Sequence, residues 1–325
     1  MPTIKDVAEK AGVTVTTVSR VLNNRGYISD ATRKKVYKAM EEINYHPNEL
    51  ARSLYRGKSN LIGLIIPTVG HPFFGELAAF IEEYAYSQEY KVLLCNSQFD
   101  REKEKEYLEM LKRHQVDGII MASHTIQVDQ FSRVNLPIVT FDRQINEKIP
   151  YVSSDNFRGG ELATNLLIEK GCKKIAHICG NLGLDLLANR RNEAFMATAR
   201  RQGIEYYTVQ TEINVFETNQ YESLIRDLFI ENPDLDGIFA SSDLMAASAV
   251  KICSDLNKKI PEEVRIIGYD DINVASLVTP QITTIKQPLG QMSALALDLL
   301  IKQMNKVKVP VENILPVQLI ERETT

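Results

Sequence analysis

From residue 61 onward the chain keeps one rhythm, a short continuous apolar run followed by a longer amphipathic stretch. The strand-like runs fall at 61–67, 91–96, 117–122, 137–142 and 151–155, and a second series falls at 174–180, 206–212, 237–243, 265–270 and 282–287. Amphipathic stretches such as 74–87, 103–114, 159–170, 191–202 and 244–256 lie between them. Strands that are apolar throughout, rather than on alternate residues, are covered on both faces. Strand–helix alternation of this kind predicts parallel sheets with helices on either side. Ten strands in two series predict two similar α/β lobes rather than one large sheet. In open sheets of this type ligands sit beyond the carboxyl ends of the strands, so the residues standing there are the first candidates for function.

Those residues are polar or aromatic. His71-Pro-Phe-Phe74 follows the first run and Phe141-Asp-Arg143 the fourth, with Asp155-Asn156 after the fifth. The second series contributes Asn189-Arg-Arg191, Ser241-Ser-Asp243, Tyr269-Asp-Asp271 and Gln287-Pro288. Singly, each has a plain structural use: a phenylalanine in a core, an aspartate capping a helix, an arginine in a surface pair. Together they are what a sugar site needs. Aromatic rings cover the apolar C–H face of a sugar, and carboxylates, amides and guanidinium groups satisfy its hydroxyls.

The first 58 residues follow a different pattern. Ile4, Val7, Ala8 and Ala11 recur at helical spacing, and Thr3 with Asp6 has the spacing of a capping box. Gly12 stands where the chain must turn, and Thr14 is placed to cap a second helix whose inward face is Val18, Val21 and Leu22. Val15, Thr16, Thr17, Ser19 and Arg20 then point outwards or along the rim. Ser29 or Asp30 begins a third helix reaching about Asn44, with Val36, Ala39, Met40 and Ile43 inward. Two short helices joined by a glycine turn predict a helix-turn-helix, its second helix sized for the DNA major groove. After Pro47, Asn48 is placed to cap a short helix over 49–56. Its apolar seam of Leu50, Ala51 and Leu54 is flanked by Arg52, Arg56 and Lys58, a combination suited to minor-groove insertion.

Charge supports the division. Net charge over the 325 residues is −4, yet residues 1–58 hold eleven bases against six acids and the remainder 27 against 36. A basic head on an acidic body places the polyanion at the head. Cys95, Cys172, Cys179 and Cys253 form no C-x-x-C pair, which predicts reduced buried thiols rather than a metal centre. Neither a signal peptide nor a membrane-length apolar run is present, so a cytoplasmic protein is expected, on nucleoid DNA when bound. The first strand leads into Thr68-Val-Gly-His-Pro rather than G-x-G-x-x-G, and neither a P-loop nor H-E-x-x-H occurs. Asp270-Asp271 has no nucleophile–base set beside it. We therefore expect no enzyme, no cofactor and no metal. A sugar-binding transport component would share the core but has no use for the head.

These segments together resemble the LacI/GalR repressors. In the head the resemblance rests on Asp6-Val-Ala, Ala11-Gly-Val, Val18-Ser-Arg-Val-Leu-Asn23, Thr32-Arg, Asn44-Tyr and Pro47-Asn48. In the core it rests on Val116-Asp-Gly-Ile-Ile120, Ile266-Ile-Gly-Tyr-Asp-Asp271 and Thr283-Thr-Ile-Lys-Gln-Pro288. The resemblance implies a helix-turn-helix domain over 1–46, a hinge helix and linker over 47–59, and a periplasmic-binding-protein-like core over 60–325. The core's first lobe would take about 60–157 plus 284–312, and its second about 158–283 plus 313–325. DNA contacts are implied for Thr14, Val15, Thr16, Thr17, Arg20, Asn23, Asn48, Ala51, Leu54 and Tyr55. Effector contacts are implied for His71, Phe73, Phe74, Asp142, Arg143, Arg191, Ser242, Asp270 and Gln287. Asp142-Arg143 with His71-Pro-Phe-Phe74 and Gln287 also resembles ribose-binding proteins, although His71 and Ser242 replace their usual asparagines. Pro72-Phe-Phe-Gly-Glu-Leu77, Leu94-Cys-Asn96 and Val152-Ser-Ser-Asp-Asn156 look most like Gram-positive sucrose-operon repressors. The expected partners are a pseudo-palindromic operator DNA, a sucrose, fructose or ribose-type effector, and a second copy of the chain. A homodimer is expected because no apolar heptads follow Ile320.

Overall fold

The computed structural model describes residues 2–46, 58–124, 136–212 and 218–325, and the chain divides into two compact units, residues 1–59 and 60–325. The described residues of the first unit hold three helices, α1 (Ile4–Ala11), α2 (Val15–Leu22) and α3 (Asp30–Glu42). Val7, Ala8, Val18, Val21, Val36 and Ala39 form its core. The helix starts follow from side chains. The Asp6 carboxylate accepts from Thr3 N at 2.6 Å and from Thr3 Oγ1 at 2.9 Å, and the Thr3 backbone bond is the first reason its acidity lies on the strong side of an ordinary aspartate. Thr14 Oγ1 caps α2 by accepting from Thr17 N, and Ser29 Oγ caps α3 by accepting from Thr32 N. Gly12, at φ 65°, ends α1 in the left-handed conformation that glycine adopts freely, and its N–H turns back to the α1 carbonyls.

The second unit contains two six-stranded sheets. Sheet A runs β11-β5-β4-β3-β1-β2 and sheet B runs β12-β10-β9-β8-β6-β7. The strands of sheet A are β1 (Leu61–Ile66), β2 (Lys91–Asn96), β3 (Gly118–Met121), β4 (Ile138–Phe141), β5 (Tyr151–Ser154) and β11 (Glu312–Leu315). Those of sheet B are β6 (Lys174–Cys179), β7 (Glu205–Gln210), β8 (Gly237–Ala240), β9 (Arg265–Asp270), β10 (Thr283–Lys286) and β12 (Gln318–Ile320). Neighbours pair in parallel throughout, except that β12 runs antiparallel to β10. Helices α4 (Pro72–Ser87) and α11 (Leu289–Met304) cover one face of sheet A and α5 (Arg101–Arg113) the other. On sheet B, α6 (Asn156–Glu169) and α7 (Arg190–Gln202) lie on one face, with α8 (Thr218–Glu231) and α9 (Asp243–Asp255) on the other. A short helix α10 (Asn273–Leu277) follows β9. No described helix is long and apolar enough to cross a membrane.

Backbone ladders place the lobe boundaries a little later than the expected 283/284 and 312/313. Strand β10 pairs with β9 and so belongs to sheet B, whereas β11 pairs with β5 and belongs to sheet A. The chain therefore passes between lobes three times: around Asp155, around Gln287 and between β11 and β12. Strands β11 and β12 go beyond the ten expected runs. They are short, half-exposed and separated by Pro316-Val317, so no continuous apolar run marks them.

Candidate functional site

The carboxyl ends of both sheets face one cleft of about 190 Å³. Every effector candidate lines it: His71, Phe73, Phe74, Asp142, Arg143, Arg191, Ser242, Asp270 and Gln287. The lining also includes Ser123 and His124 after β3, Asn181, Leu184 and Leu186 after β6, Thr211 and Glu212 after β7, and Ser241.

Lobe 1 supplies the aromatic wall. His71 precedes α4 with Pro72 at its first position, a proline preset for a helix start. Phe73 and Phe74 therefore leave from the first turn, and their rings meet edge-to-face at 5.2 Å. Burial holds the His71 and His124 imidazoles down at about 4, with Arg143 adding to the effect at His124, so both rings are neutral at physiological pH. Asp142 stands at the end of β4 on a backbone with φ 48°. Its Oδ1 accepts from Ser153 Oγ at 2.5 Å and from Asn156 Nδ2 at 3.2 Å.

A hydrogen-bonded chain continues from there into lobe 2. Asn156 Oδ1 accepts from Arg191 Nε at 2.7 Å, and Arg191 Nη1 donates to the Ser241 carbonyl at 2.7 Å. The guanidinium lies over the Tyr269 ring, its Cζ 3.5 Å from the ring centroid. The approach of α7 to α6 depends on Gly160, and the approach of Tyr269 on Gly159. A Cβ on Gly160 would stand 2.5 Å from the Arg191 carbonyl oxygen, and one on Gly159 would stand 2.6 Å from the Tyr269 ring. At the end of β9, Asp270 has φ 111°, and its Oδ1 accepts from Gln287 Nε2 at 2.7 Å. Burial raises the Asp270 carboxyl to about 7, against the lowering pull of Arg191 and Gln287. Its buried neighbour Asp243 is raised well above the usual carboxylate range for the same first reason, with the Asp270 charge second. Ser242 Oγ caps α9 by accepting from Met245 N at 3.3 Å, so that hydroxyl already serves the fold.

Three buried cleft atoms, Ser123 Oγ, His124 Nε2 and Gln287 Oε1, have no hydrogen-bond partner among the described residues. Buried polar atoms in this position call for a polar ligand or water. With Asp142 and Asp270 beside them, the arrangement suits a polyhydroxylated molecule covered on one side by Phe73 and Phe74. Among the described residues no group of His, Cys, Asp and Glu could hold a metal ion, and the four cysteines are buried free thiols.

On the head, α2 presents Val15, Thr16 and Arg20 on its exposed face, with Thr14 at its start and Thr17 half-buried. Asn23 is spent largely inside the fold, its Nδ2 donating to the Ser19 carbonyl at 2.9 Å. Asn48, Ala51, Leu54 and Tyr55, with the short helix expected over 49–56, lie outside the described residues.

Comparison with known proteins gives the family and the fold. The family model for bacterial regulatory proteins of the lacI family matches residues 3–48, and that for a periplasmic binding protein-like domain matches residues 164–325. A ribose operon repressor of Halalkalibacterium halodurans is 41% identical, over 100% of this chain and 97% of that protein. The chain belongs to the LacI family. A second LacI-family relative, the sucrose operon repressor of Streptococcus mutans serotype c, is 40% identical over 99% of this chain and 98% of its own length. A crystal structure of a periplasmic binding protein/LacI transcriptional regulator from Alkaliphilus metalliredigens, complexed with D-xylulofuranose, is 38% identical. It superposes with a TM-score of 0.75 over 82% of this chain and 99% of that one.

The residue signals were uneven. Asn156, Ser241 and Tyr269 stand in the strand-end segments that the sequence singles out. Ser123, His124, Leu184 and the Gly159-Gly160 pair carry no local pattern and became visible only once the strands were assembled.

Proposed function

We propose that this LacI-family chain is a DNA-binding transcriptional repressor of a carbohydrate-utilisation operon, its operator affinity set by a sugar held in the cleft. The observation that carries the reading is the bonded chain Asp142–Asn156–Arg191–Ser241, which crosses from one lobe to the other beside unpartnered polar atoms. A ligand seated there touches both lobes and biases the angle between them, and such coupling is typically worth about 1–3 kcal/mol. The effector is a furanose-type sugar, sucrose or a fructose- or ribose-type ring. Support comes from the aromatic wall beside paired carboxylates and from relatives named for ribose and sucrose operons. It comes also from the neighbour that holds D-xylulofuranose. The chain binds the sugar without turning it over and acts in the cytoplasm.

A homodimer on a pseudo-palindromic operator follows from size. An eight-residue recognition helix is about 12 Å long and reads only a few base pairs, so operator specificity needs two. Val15, Thr16 and Arg20 reach base edges, and Asn48, Ala51, Leu54 and Tyr55 serve the minor groove between half-sites. The deciding measurement is fluorescence anisotropy on DNA from the gene's own upstream region, titrated with sucrose, D-fructose and D-ribose. We expect tight, salt-steep binding that one of the sugars alters. Binding indifferent to all three sugars would discard the furanose effector, and absence of specific binding would return the core to a transport role.

A further inference from the structure

Behind the cleft floor lies a polar group that the repressor reading leaves unused. His177, on β6, is fully buried, its ring stacked on Phe239 at 4.6 Å and tilted against Phe195 at 5.3 Å. An imidazole in such surroundings is tolerated only when both nitrogens are bonded. Both are: Nδ1 lies 3.0 Å from Asn192 Oδ1, and Nε2 lies 2.9 Å from Ser241 Oγ.

The direction of the two bonds is set by what surrounds them. Asn192 Oδ1 also accepts from Thr208 Oγ1 at 3.0 Å, while Asn192 Nδ2 faces the Met196 sulfur. The amide atom meeting His177 is thus an acceptor, and Nδ1 carries the ring proton. Burial keeps the imidazole neutral, with its pKa down at about 4, so Nε2 has a lone pair and no proton. The Ser241 hydroxyl must then donate to Nε2. It has a single hydrogen, so only its lone pairs remain for the cleft. Its carbonyl is already held by Arg191 Nη1, which fixes the residue at backbone and side chain alike.

We propose that His177 is a positioning residue that locks Ser241 as a hydrogen-bond acceptor, so that the effector must present a free hydroxyl at that point, not a phosphate, ether or carboxylate oxygen. The inference rests on the cleft being the effector site, and it narrows the ligand to a sugar unmodified at the hydroxyl facing Ser241. An analogue lacking that donor leaves Ser241 Oγ facing an oxygen that also only accepts, and its binding falls about tenfold or more.

The first test needs no ligand. Nitrogen-15 NMR of the full chain, with His177→Phe used to assign the signal, is expected to find Nε2 as the unprotonated ring nitrogen, and a proton there overturns the proposal. The second is titration calorimetry with sucrose, D-fructose and D-ribose on wild type, Ser241→Ala, His177→Phe and the double variant. Each single change is expected to weaken the sugar that binds by about tenfold, and the double change by no more than either. His177→Gln, which can place an acceptor against Ser241, is expected to recover most of the loss. Additive losses would assign His177 to the fold alone. Failure of all three sugars to bind wild type would count against the proposed function, while the tautomer would still decide whether His177 holds Ser241 as an acceptor.

Discussion

Asp270 and Asp142 carry their carboxylates into the cleft on backbones with positive φ, conformations that cost non-glycine residues of order 1–3 kcal/mol and gather at binding sites. Asp270 stores a second cost, because its raised carboxyl is easier to bury protonated than charged. A folded-state pKa above the unfolded value stabilises the fold at low pH. That contribution fades as pH climbs from the ordinary carboxylate range through about 7. His71, His124 and His177, whose pKa values burial lowers, pull the other way, so the informative quantity is a difference between variants. Asp270→Asn keeps an acceptor for Gln287 and loses the charge. Relative to wild type, it is expected to gain about 1–3 kcal/mol between pH 5 and pH 8, read from urea unfolding at each pH. An unchanged difference would mean that Asp270 is ionised throughout the window.

At the level of elements, the close packing of α6 on α7 does most to shape the site. Gly160 lets the α7 backbone approach until Arg191 can reach Asn156, Ser241 and the face of Tyr269 together. Gly160→Ala is expected to shift α7 by a few tenths of an ångström or more. Destabilisation of about 1–3 kcal/mol should follow, with weaker sugar binding. Thermal melts and calorimetry on the same variant read the two effects, and full sugar affinity in a destabilised variant would separate the packing from the site. That glycine pair looks ordinary in the chain, since nothing in a helical pattern reveals which turn will meet another helix. Inner strands such as β1, β3, β4, β6, β8 and β9 were legible because parallel strands buried on both faces are continuous apolar runs. Strands β11 and β12 were not, because they are three or four residues long, half-exposed and separated by Pro316-Val317, and only hydrogen-bond ladders assign them to a sheet. The cleft was legible wherever a polar group follows a strand directly, as at Asp142 and Asp270. Asn192 and Thr208 escaped notice because they lie within a helix and a strand, and their link to His177 exists only in the folded chain.

Over the whole molecule, DNA reading and sugar sensing fall to separate units, and substitutions should divide accordingly. Arg20→Ala is expected to weaken operator binding by about tenfold or more while leaving sugar affinity unchanged. Asp142→Asn, which keeps the Oδ1 acceptor for Ser153 and Asn156, is expected to leave operator affinity intact and cut the sugar response about tenfold. Anisotropy and calorimetry on both variants check this, and a loss of both activities in either variant would join the two functions at one site. The threefold passage of the chain between lobes also sets a timetable for synthesis. The head has its own core and can fold as soon as residues 2–46 leave the ribosome. Each lobe must wait, because β11 completes sheet A and β12 completes sheet B, and both are encoded after every other strand. A nascent chain thus carries a folded three-helix head long before either sheet of its sensor can close, and becomes answerable to sugar only once β11 and β12 have been made.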